Sequence, residues 1–586
     1  MEISSGDLTL DADGHPESIW VFRMGTTFNA LTGRQVILAN GARGTTVFWQ
    51  VGSSTRTRRG PGCGPGAALA AVRWRMVLPL AAVLSTLHYE GDVAAAGGDY
   101  AEVAFAVPAG TVEIQVAHTD GSADVILDWG VWGPDGFRGW GGGNTEDAVI
   151  GVAESSRSYL PGAITPGAWT LVIGKAKLAA GAGHYSVDVT CRDDATLTVR
   201  PRSEYVPAVL GTEPHHWLKG DFHVHDSESG DANASIPEIV ALMDSQGLDF
   251  ANLSDHNTTS QLPFEPAFNG AGQHRLLLRG AEITTYAGHA NAVGISTYVD
   301  HRVGLDGRTI SDVIADVKAQ GGLFLVNHPT LELGSTCIGC AWSYPDTPWD
   351  QVDGLEIITG KWDVVEPLFV PTAIALWDQQ LDAGHHIAAV SGSDDHRAGR
   401  GTGTIETPVG SPCTLVLTDE LSERAIIDAV KAGRTMVNLR GPHDPVVSFQ
   451  LERPGDDAGS AAVEIGDTIE IPERVGVAAQ VRVQTGQGMF VQLIRDGVKL
   501  ATARVDSDDF SHTFTDAVGL TSHRYRIELV DEGGARIVVT SHIYVVGVAG
   551  GPALDESGCC NSNPQPPLLA LLAILPLVRR RRPTCT

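Results

Sequence analysis

The stretch Lys219 to Asp231, KGDFHVHDSESGD, places two histidines one residue apart at the end of a short β-like run and follows them with acidic residues. Side chains alternate along an extended strand, so His223 and His225 point to the same side. Two imidazoles directed at one point could begin a metal site. A His-x-His pair alone is more often an ordinary surface or core feature, so further ligands must decide its meaning.

Length and charge restrict what this chain can be. Its 586 residues are too many for a single core and predict three or four domains. A formal charge of −29 argues against nucleic acid as a partner, because phosphate binding needs a basic surface. Cys337 and Cys340 have the spacing of half a zinc ribbon without the second half, which favours a loop disulfide in an exported protein.

Changes of pattern along the chain predict a multidomain protein in which an α/β barrel is flanked by β-sandwich domains. Alternating apolar runs separated by turns indicate the two sandwiches, the second of immunoglobulin or fibronectin type. Short β runs that alternate with helical patterns, such as the predicted helix Ile310 to Ala319, indicate the barrel. The predicted divisions are a leader or signal-like region at 1–90, a sandwich at 91–200, the barrel at 203–442, a sandwich at 443–547, and a linker with a tail at 548–586.

Two apolar segments bear on location. Arg73 and Arg75 precede the apolar run Met76 to Leu87, which resembles a signal peptide, although a buried helix fits equally well. Near the end, Pro566 to Val578 is an apolar run followed by four arginines, and it is shorter than the roughly 20 residues of a bilayer span. With its preceding cysteine pair this tail resembles the sorting tails of myxobacterial surface proteins, while a short tail anchor is the alternative. Both predict an extracytoplasmic protein, secreted or attached to a membrane or cell surface.

More histidines and carboxylate residues, which are common metal ligands, lie at or just beyond the ends of the later predicted strands. Mixed imidazole and carboxylate donors without thiolate suit zinc, manganese or iron, and so many donors exceed what one ion can use. We therefore expect two or three divalent ions at the end of the barrel where loops follow strands. The candidate ligands are His223, His225, Asp231, His256, Glu282, His289, His328, Asp394 and His396.

This order of ligands resembles the PHP superfamily (polymerase and histidinol phosphatase) over Lys219 to Arg397. The resemblance implies a distorted seven-stranded (β/α) barrel with a trinuclear metal site formed by those nine residues. The flanking sandwiches and AIIDAVKAGRTMVNLRGP after the barrel resemble the CehA/McbA-like metallohydrolase branch, which includes a carbaryl hydrolase. This chain has Ser229-Gly230-Asp231 where the family usually has Ser-Asp-Gly, and the Asp-x-His spacing favours Asp394 over Asp395.

Metal-bridged hydroxide is the nucleophile that such a site predicts. We expect Glu282 to be the bridging carboxylate and Asp255 to orient a ligand imidazole or carry protons. Arg397, with Lys361 and Arg279, is a candidate for contacting a substrate phosphate, and surface ion pairing is the alternative.

Three functions remain open at this stage, and the oligomeric state is unknown. The first is an exported phosphoesterase acting on a small-molecule ester. The second is a carboxylester or carbamate hydrolase on the same ions. The third is a surface binding module whose metals are structural, although structural sites need far fewer ligands.

Overall fold

A computed structural model describes residues 83–549 except 120–124, 179–180, 271, 454–461 and 473–474, together with seven short strands before residue 58. The chain divides into two compact units, residues 1–78 and 79–586. Within the described residues, no helix is long and apolar enough to cross a membrane. The C-terminal tail and most of the signal-like segment lie outside the described residues.

The first unit consists of short strands that pair in parallel with strands about 27 residues further along the chain, as in Leu8 with Val36 and Trp20 with Val47. Parallel pairing at a fixed offset is the pattern of a solenoid, in which each coil adds one strand to every face. The strands are β1 Glu2–Ile3, β2 Leu8–Asp11, β3 Trp20–Met24, β4 Thr27–Ala30, β5 Val36–Ala39, β6 Val47–Val51 and β7 Ser54–Thr57.

Residues 83–192 form two antiparallel sheets around a shared apolar core that includes Trp129, Trp169 and Ile114. The strands are β8 Val83–Ala94, β9 Tyr100–Val107, β10 Glu113–Thr119, β11 Val125–Gly133, β12 Gly136–Gly142, β13 Ala148–Gly151, β14 Gly167–Leu178 and β15 Ala182–Arg192. Their orders in the two sheets are β13-β10-β15-β8 and β12-β11-β14-β9. Val83 to Leu87, the end of the signal-like segment, begins β8. We call this domain the N-terminal sandwich.

Seven strands, β16 to β22, lie side by side in chain order in the central region. At their ends the first and seventh also meet, since the Asp394 N–H donates to the His223 carbonyl at 2.9 Å and the His225 N–H donates to the Asp395 carbonyl at 3.1 Å. The elements are β16 Gly211–Val224, α1 Ile236–Gln246, β17 Phe250–Leu253, β18 Leu276–Thr285, β19 Gly288–Val293, α2 Ile310–Ala319, β20 Leu323–Val326, β21 Gly354–Thr359, α3 Trp362–Val365, α4 Val370–Asp382 and β22 Ala388–Gly392.

The regular alternation of a (β/α)7 barrel is not what this region shows. Helices of the α type connect β16 to β17, β19 to β20 and β21 to β22, while β18 and β19 form an antiparallel hairpin. Thr285 ends β18 and Gly288 begins β19, and the two residues between them are too few for a helical crossover. The hairpin reverses the chain once, so β19 pairs antiparallel with both of its neighbours.

A second sandwich follows and joins the central sheet, because β24 pairs antiparallel with β33. Phe449 and Val481 from one sheet and Leu493 and Ile527 from the other share its core. Its immunoglobulin or fibronectin type stays a prediction. The elements are β23 Cys413–Leu421, α5 Glu423–Lys431, β24 Thr435–Asn438, β25 Val446–Glu452, β26 Val463–Glu464, β27 Thr468–Pro472, β28 Gly476–Gln484, β29 Phe490–Arg495, β30 Val498–Arg504, β31 Asp509–Ala517, β32 His523–Val530, β33 Arg536–Thr540 and β34 Ile543–Val548.

A buried ion pair ties α4 to this C-terminal sandwich. The Arg526 guanidinium, 2% exposed, donates to both carboxylate oxygens of Asp378 at 2.6 and 3.0 Å. Arg524 lies beside it and pairs with Asp382, whose side chain is 62% exposed.

Replacing Asp378 by Ala should lower the free energy of unfolding by about 1.5–3 kcal/mol, because the buried guanidinium loses its hydrogen bonds to Asp378 while it keeps those to Glu528. The matched control Asp382→Ala removes an exposed partner and should cost about 0–1 kcal/mol. Urea denaturation of both variants tests the difference. Equal losses would contradict the role assigned to Asp378.

Glu265 is a fully buried carboxyl whose two oxygens make no hydrogen bond within the described part of the chain. Burial, together with the negative charges of Glu423 and Asp255, raises its pKa well above the usual range. The folded protein therefore holds this proton where the unfolded chain has already released it. The contribution of Glu265 to stability is largest below the unfolded pKa of about 4.3 and declines as the pH rises toward the folded pKa.

Glu265→Gln should remove this pH dependence, because the amide does not ionise. The unfolding free energy of the variant minus that of the wild type should increase between about pH 5 and about pH 8. Urea titrations at both pH values measure that difference. A constant difference would show that the carboxyl titrates normally.

Candidate metal centre

Neighbouring strands bring the predicted ligands to one edge of the central sheet. His223 is the second-last residue of β16 and His225 follows the strand, Glu282 lies on β18, and His328 and Asp394 stand two residues after β20 and β22. Because the ends of adjacent strands meet at one edge of the sheet, the side chains at these ends converge. All nine predicted ligands lie in this cluster.

Glu282 is the central carboxylate of the cluster. Its Oε1 lies 3.3 Å from His223 Nε2, 3.4 Å from His289 Nδ1 and 3.6 Å from His328 Nε2. Its Oε2 lies 2.7 Å from His256 Nδ1 and 3.8 Å from His225 Nε2. One buried carboxylate therefore faces five imidazoles, with three around one oxygen and two around the other.

His223 and His225 form a second grouping with Asp394, whose Oδ1 lies 3.3 and 3.2 Å from their Nε2 atoms. Both Nε2 atoms are completely buried and neither makes a hydrogen bond in the described residues. Buried polar atoms of this kind need a partner. Nitrogen lone pairs that converge with carboxylate oxygens fit a divalent ion of the zinc, manganese or iron type.

Asp231 completes a third grouping with His256 and His396. Its Oδ2 lies 3.4 Å from the Nε2 atom of each histidine, and these two nitrogens are 3.4 Å apart. The nearly equal distances place all three donors around one point. The one-residue shift of Asp231 relative to the family pattern thus does not remove it from the cluster.

His289 and His328 are held by the loop that contains Cys337 and Cys340. The His289 Nε2–H donates to the Ile338 carbonyl at 3.0 Å, and the His328 Nδ1–H donates to the Cys340 carbonyl at 3.2 Å. A disulfide joins Cys337 to Cys340, in agreement with the sequence prediction. The sulfurs thus constrain the loop whose carbonyls orient two imidazoles.

Electrostatics favour the metal-binding form of some of these groups and oppose it at others, where the pKa of the imidazole is raised. Burial, with the nearby charges of His396 and His256, lowers the pKa of His225 to about 3, so its imidazole is neutral. Burial opposes ionisation of Glu282, but the charges of His223 and His256 outweigh it and hold its pKa well below the usual range. Burial likewise disfavours charge on His223, yet Asp394, Glu282 and Glu356 raise its pKa well above the usual value. Metal ions would have to displace the proton that His223 otherwise holds.

Sequence reasoning missed the groups that orient the ligands. Glu356 Oε1 lies 3.0 Å from His223 Nδ1, and its Oε2 accepts the His328 backbone N–H at 2.9 Å. Ser229 Oγ lies 3.0 Å from His225 Nδ1, and Asn327 donates its amide to Glu282 Oε1 at 2.9 Å. One signal was available: Glu356 is a charged residue inside the apolar run GLEIIT.

The two predicted catalytic residues lie in different surroundings. Asp255 is fully buried, and its Oδ1 accepts the backbone N–H groups of Asp226 and Ser229 at 2.9 and 3.1 Å. Its carboxylate supports the turn that holds Ser229 and is not among the residues lining the cavity described below. Arg397 does line that cavity, where its Nε lies 3.7 Å from Glu406 Oε1.

The other proposed cations lie outside the cavity lining. Arg279 pairs with Glu423, and Lys361 pairs with Asp363. Asp394 rather than Asp395 faces the imidazoles, since the Asp395 carboxylate accepts backbone N–H groups from Arg397 and other loop residues. This placement agrees with the choice made from the Asp-x-His spacing.

Backbone conformation at two ligands is uncommon for residues other than glycine. His328 and Asp394 adopt φ values of 27° and 57°, in the left-handed region. Such conformations persist where the surroundings hold them, and they concentrate at functional sites.

A cavity of about 940 Å³ opens above the cluster. The central region lines one side, with Asp231, His256, Glu282 and the other ligands that face it. The N-terminal sandwich lines another side with Trp140, the segment 141–146 and Arg157. The cavity thus has room for a small-molecule substrate next to the candidate metal ligands.

Comparisons with known proteins match parts of the chain. A family model described as Ice-binding-like matches residues 1–70. A two-domain protein from Bacteroides vulgatus containing a predicted PHP-like metal-dependent phosphoesterase is 19% identical, and the match covers 59% of this chain and all of that chain with a TM-score of 0.32. No curated protein matches the chain.

Two glycoside-cleaving enzymes also match at low similarity. A glycosyl hydrolase family 2 member from Bacteroides cellulosilyticus is 10% identical over 77% of both chains, with a TM-score of 0.19. β-Glucuronidase 2 from Bacteroides uniformis is 10% identical over 77% of this chain and 74% of that chain, with a TM-score of 0.18. Similarity at these levels carries no argument, so the function rests on the geometry of the metal centre.

Glu356→Gln should weaken metal binding by roughly 10- to 100-fold, because an amide orients the His223 imidazole less well than a carboxylate does. Titration of the metal-free protein with Zn²⁺ or Mn²⁺ measures the affinity. Glu366→Gln is the matched control, since Glu366 is also buried but contacts Arg536. Unchanged affinity in Glu356→Gln would contradict an orienting role.

Proposed function

We propose that the chain is a metal-dependent hydrolase that cleaves phosphoester bonds in a small-molecule substrate. The observation that supports this most strongly is the buried Glu282 carboxylate between five imidazoles. A purely structural site needs far fewer donors, and it would have no need of a large cavity beside it.

The nine ligands would hold two or three ions of zinc, manganese or iron. Bound ions of this kind lower the pKa of water to near neutrality and polarise the oxygen of the bond to be cleaved. Glu282, between the groupings, is the candidate for the shared carboxylate. Glu356 and Ser229 fix the rings of His223 and His225, and Arg397 at the cavity wall could contact the substrate phosphate.

Membership of the PHP superfamily and its CehA/McbA-like branch is part of this proposal. The adjoining first and seventh strands support a distorted seven-stranded barrel, with the hairpin as its distortion. We further propose an extracytoplasmic location, attached through the C-terminal tail. The Cys337–Cys340 disulfide supports it, because disulfides persist in oxidising compartments.

A second candidate, hydrolysis of a carboxylester or carbamate, is favoured by the charge of the cavity wall. Both arginines that line the described cavity lie near carboxylates. Arg157 Nε is 3.0 Å from Glu146 Oε2, and Arg397 Nε is 3.7 Å from Glu406 Oε1. An uncharged ester would not require either pair to open. A phosphate monoester, with two negative charges, would require a cation to change partners.

A substrate screen with defined metal content separates these functions. Protein stripped of metal and reloaded with Zn²⁺, Mn²⁺ or Fe²⁺ is assayed on nitrophenyl phosphate, bis-nitrophenyl phosphate and nitrophenyl acetate. The proposal expects metal-dependent release of nitrophenol from a phosphate ester, reduced at least about 100-fold in His223→Ala. Turnover of acetate without either phosphate would support the second candidate. Bound metal without any turnover would favour structural metals, and equal turnover in His223→Ala would discredit the site.

A further inference from the structure

The turn that carries Asp231 is supported from inside the central region by Asp255 and also from outside it. Asp231 is 61% exposed toward the cavity, whereas His256 and His396, its neighbours in the third grouping, are mostly buried on the central region. A carboxylate on an exposed turn must be fixed in position to share an ion with two buried imidazoles. The contacts of residues 226–232 show what fixes it.

The start of the turn is bound by Ser158 and Arg200. The Ser158 backbone N–H donates to Glu228 Oε2 at 3.2 Å, and its hydroxyl donates to the Glu228 carbonyl at 2.6 Å. Arg200 donates to Glu228 Oε1 at 2.5 Å. Ser158 is fully buried and has a φ of 69°, so its surroundings hold it in an uncommon conformation.

The end of the turn is bound by Arg157. Its Nη1 donates to the Ala232 carbonyl at 3.0 Å, one residue after Asp231. Its Nη2 donates to Asn144 Oδ1 at 3.3 Å, and its Nε lies 3.0 Å from Glu146 Oε2. The guanidinium is thereby held on the 141–146 segment of the N-terminal sandwich while it holds the backbone next to Asp231.

The middle of the turn lies directly under the same segment. A Cβ atom at Gly230 would stand 2.5 Å from the Gly141 carbonyl oxygen, closer than any side chain tolerates. This close approach explains why glycine immediately precedes Asp231. The turn is thus contacted at its start, middle and end by residues of the N-terminal sandwich and the segment that follows it.

We propose that the N-terminal sandwich completes the metal centre and that Arg157 is a positioning residue for Asp231 in the third grouping. This inference rests on the proposed metal-dependent function. Loss of Arg157 releases the carbonyl of Ala232 and lets Asp231 move away from His256 and His396. No residue of this turn other than Asp231 is a candidate ligand, and the other two groupings, which share only His256 with the third, should retain their ions.

Metal content per chain tests the inference independently of turnover. Full-length wild type, Arg157→Ala and Asp231→Asn are stripped of metal, equilibrated with Zn²⁺ or Mn²⁺ and measured by elemental mass spectrometry and calorimetric titration. Arg157→Ala and Asp231→Asn should each lose the weakest ion or bind it at least about 10-fold less tightly, with the remaining ions unchanged. Arg192→Ala, which removes a sandwich arginine bonded to Gln115, should bind metal like the wild type.

Three outcomes would overturn the inference. They are an Arg157→Ala variant that binds metal like the wild type, an Asp231→Asn variant that keeps every ion, and an Arg192→Ala variant that loses the same ion as Arg157→Ala. Arg157→Lys, which retains the charge, should recover part of the affinity, and it replaces Arg157→Ala if that variant does not fold. A wild type that binds no ion would refute the proposed function itself, which separates that failure from a failure of the positioning role.

Discussion

A carboxylate buried among imidazoles determines much of the architecture around the candidate site. Glu282 is 1% exposed, and an ionised carboxyl at such a depth is costly unless charges or hydrogen bonds compensate it. The compensation comes from five histidines that belong to separate strand ends and loops, and from the Asn327 amide. Those segments can meet around one carboxylate because their strands are adjacent in the sheet.

A layer of fixed groups surrounds the histidines and makes their positions definite. Glu356 contacts the His223 ring and the His328 backbone, so a single carboxylate on β21 connects a ligand on β16 with a ligand that follows β20. The disulfide-containing loop supplies carbonyl acceptors to His289 and His328 in the same way. The rings of His223, His289 and His328 thus each have one nitrogen engaged, which leaves the other nitrogen to face Glu282.

Features that depend on local sequence patterns could be predicted, whereas features that depend on contacts between distant segments could not. Helix α2 spans Ile310–Ala319 as predicted, because Thr309 and Asp312 form a capping box before an apolar stripe. The nine candidate ligands could be selected because each falls at or just beyond the end of a predicted strand, and the structure brings them together. The hairpin after Thr285 was missed, although its two-residue connection excludes a helix. The support of the Asp231 turn by Arg157 could not be predicted, because no pattern in sequence relates the two segments.

The hydrogen bonds between the ends of β16 and β22 also bear on the order in which the molecule forms. His223 and Asp394 are joined across the whole central region, and both belong to the same ligand grouping. During synthesis the N-terminal sandwich has all its strands before β16 emerges, whereas the ligand set stays incomplete until β22 docks. Docking of the seventh strand is a non-local and therefore slow step. A nascent chain would thus complete its ligand set late, after the scaffold that supports Asp231 is already in place.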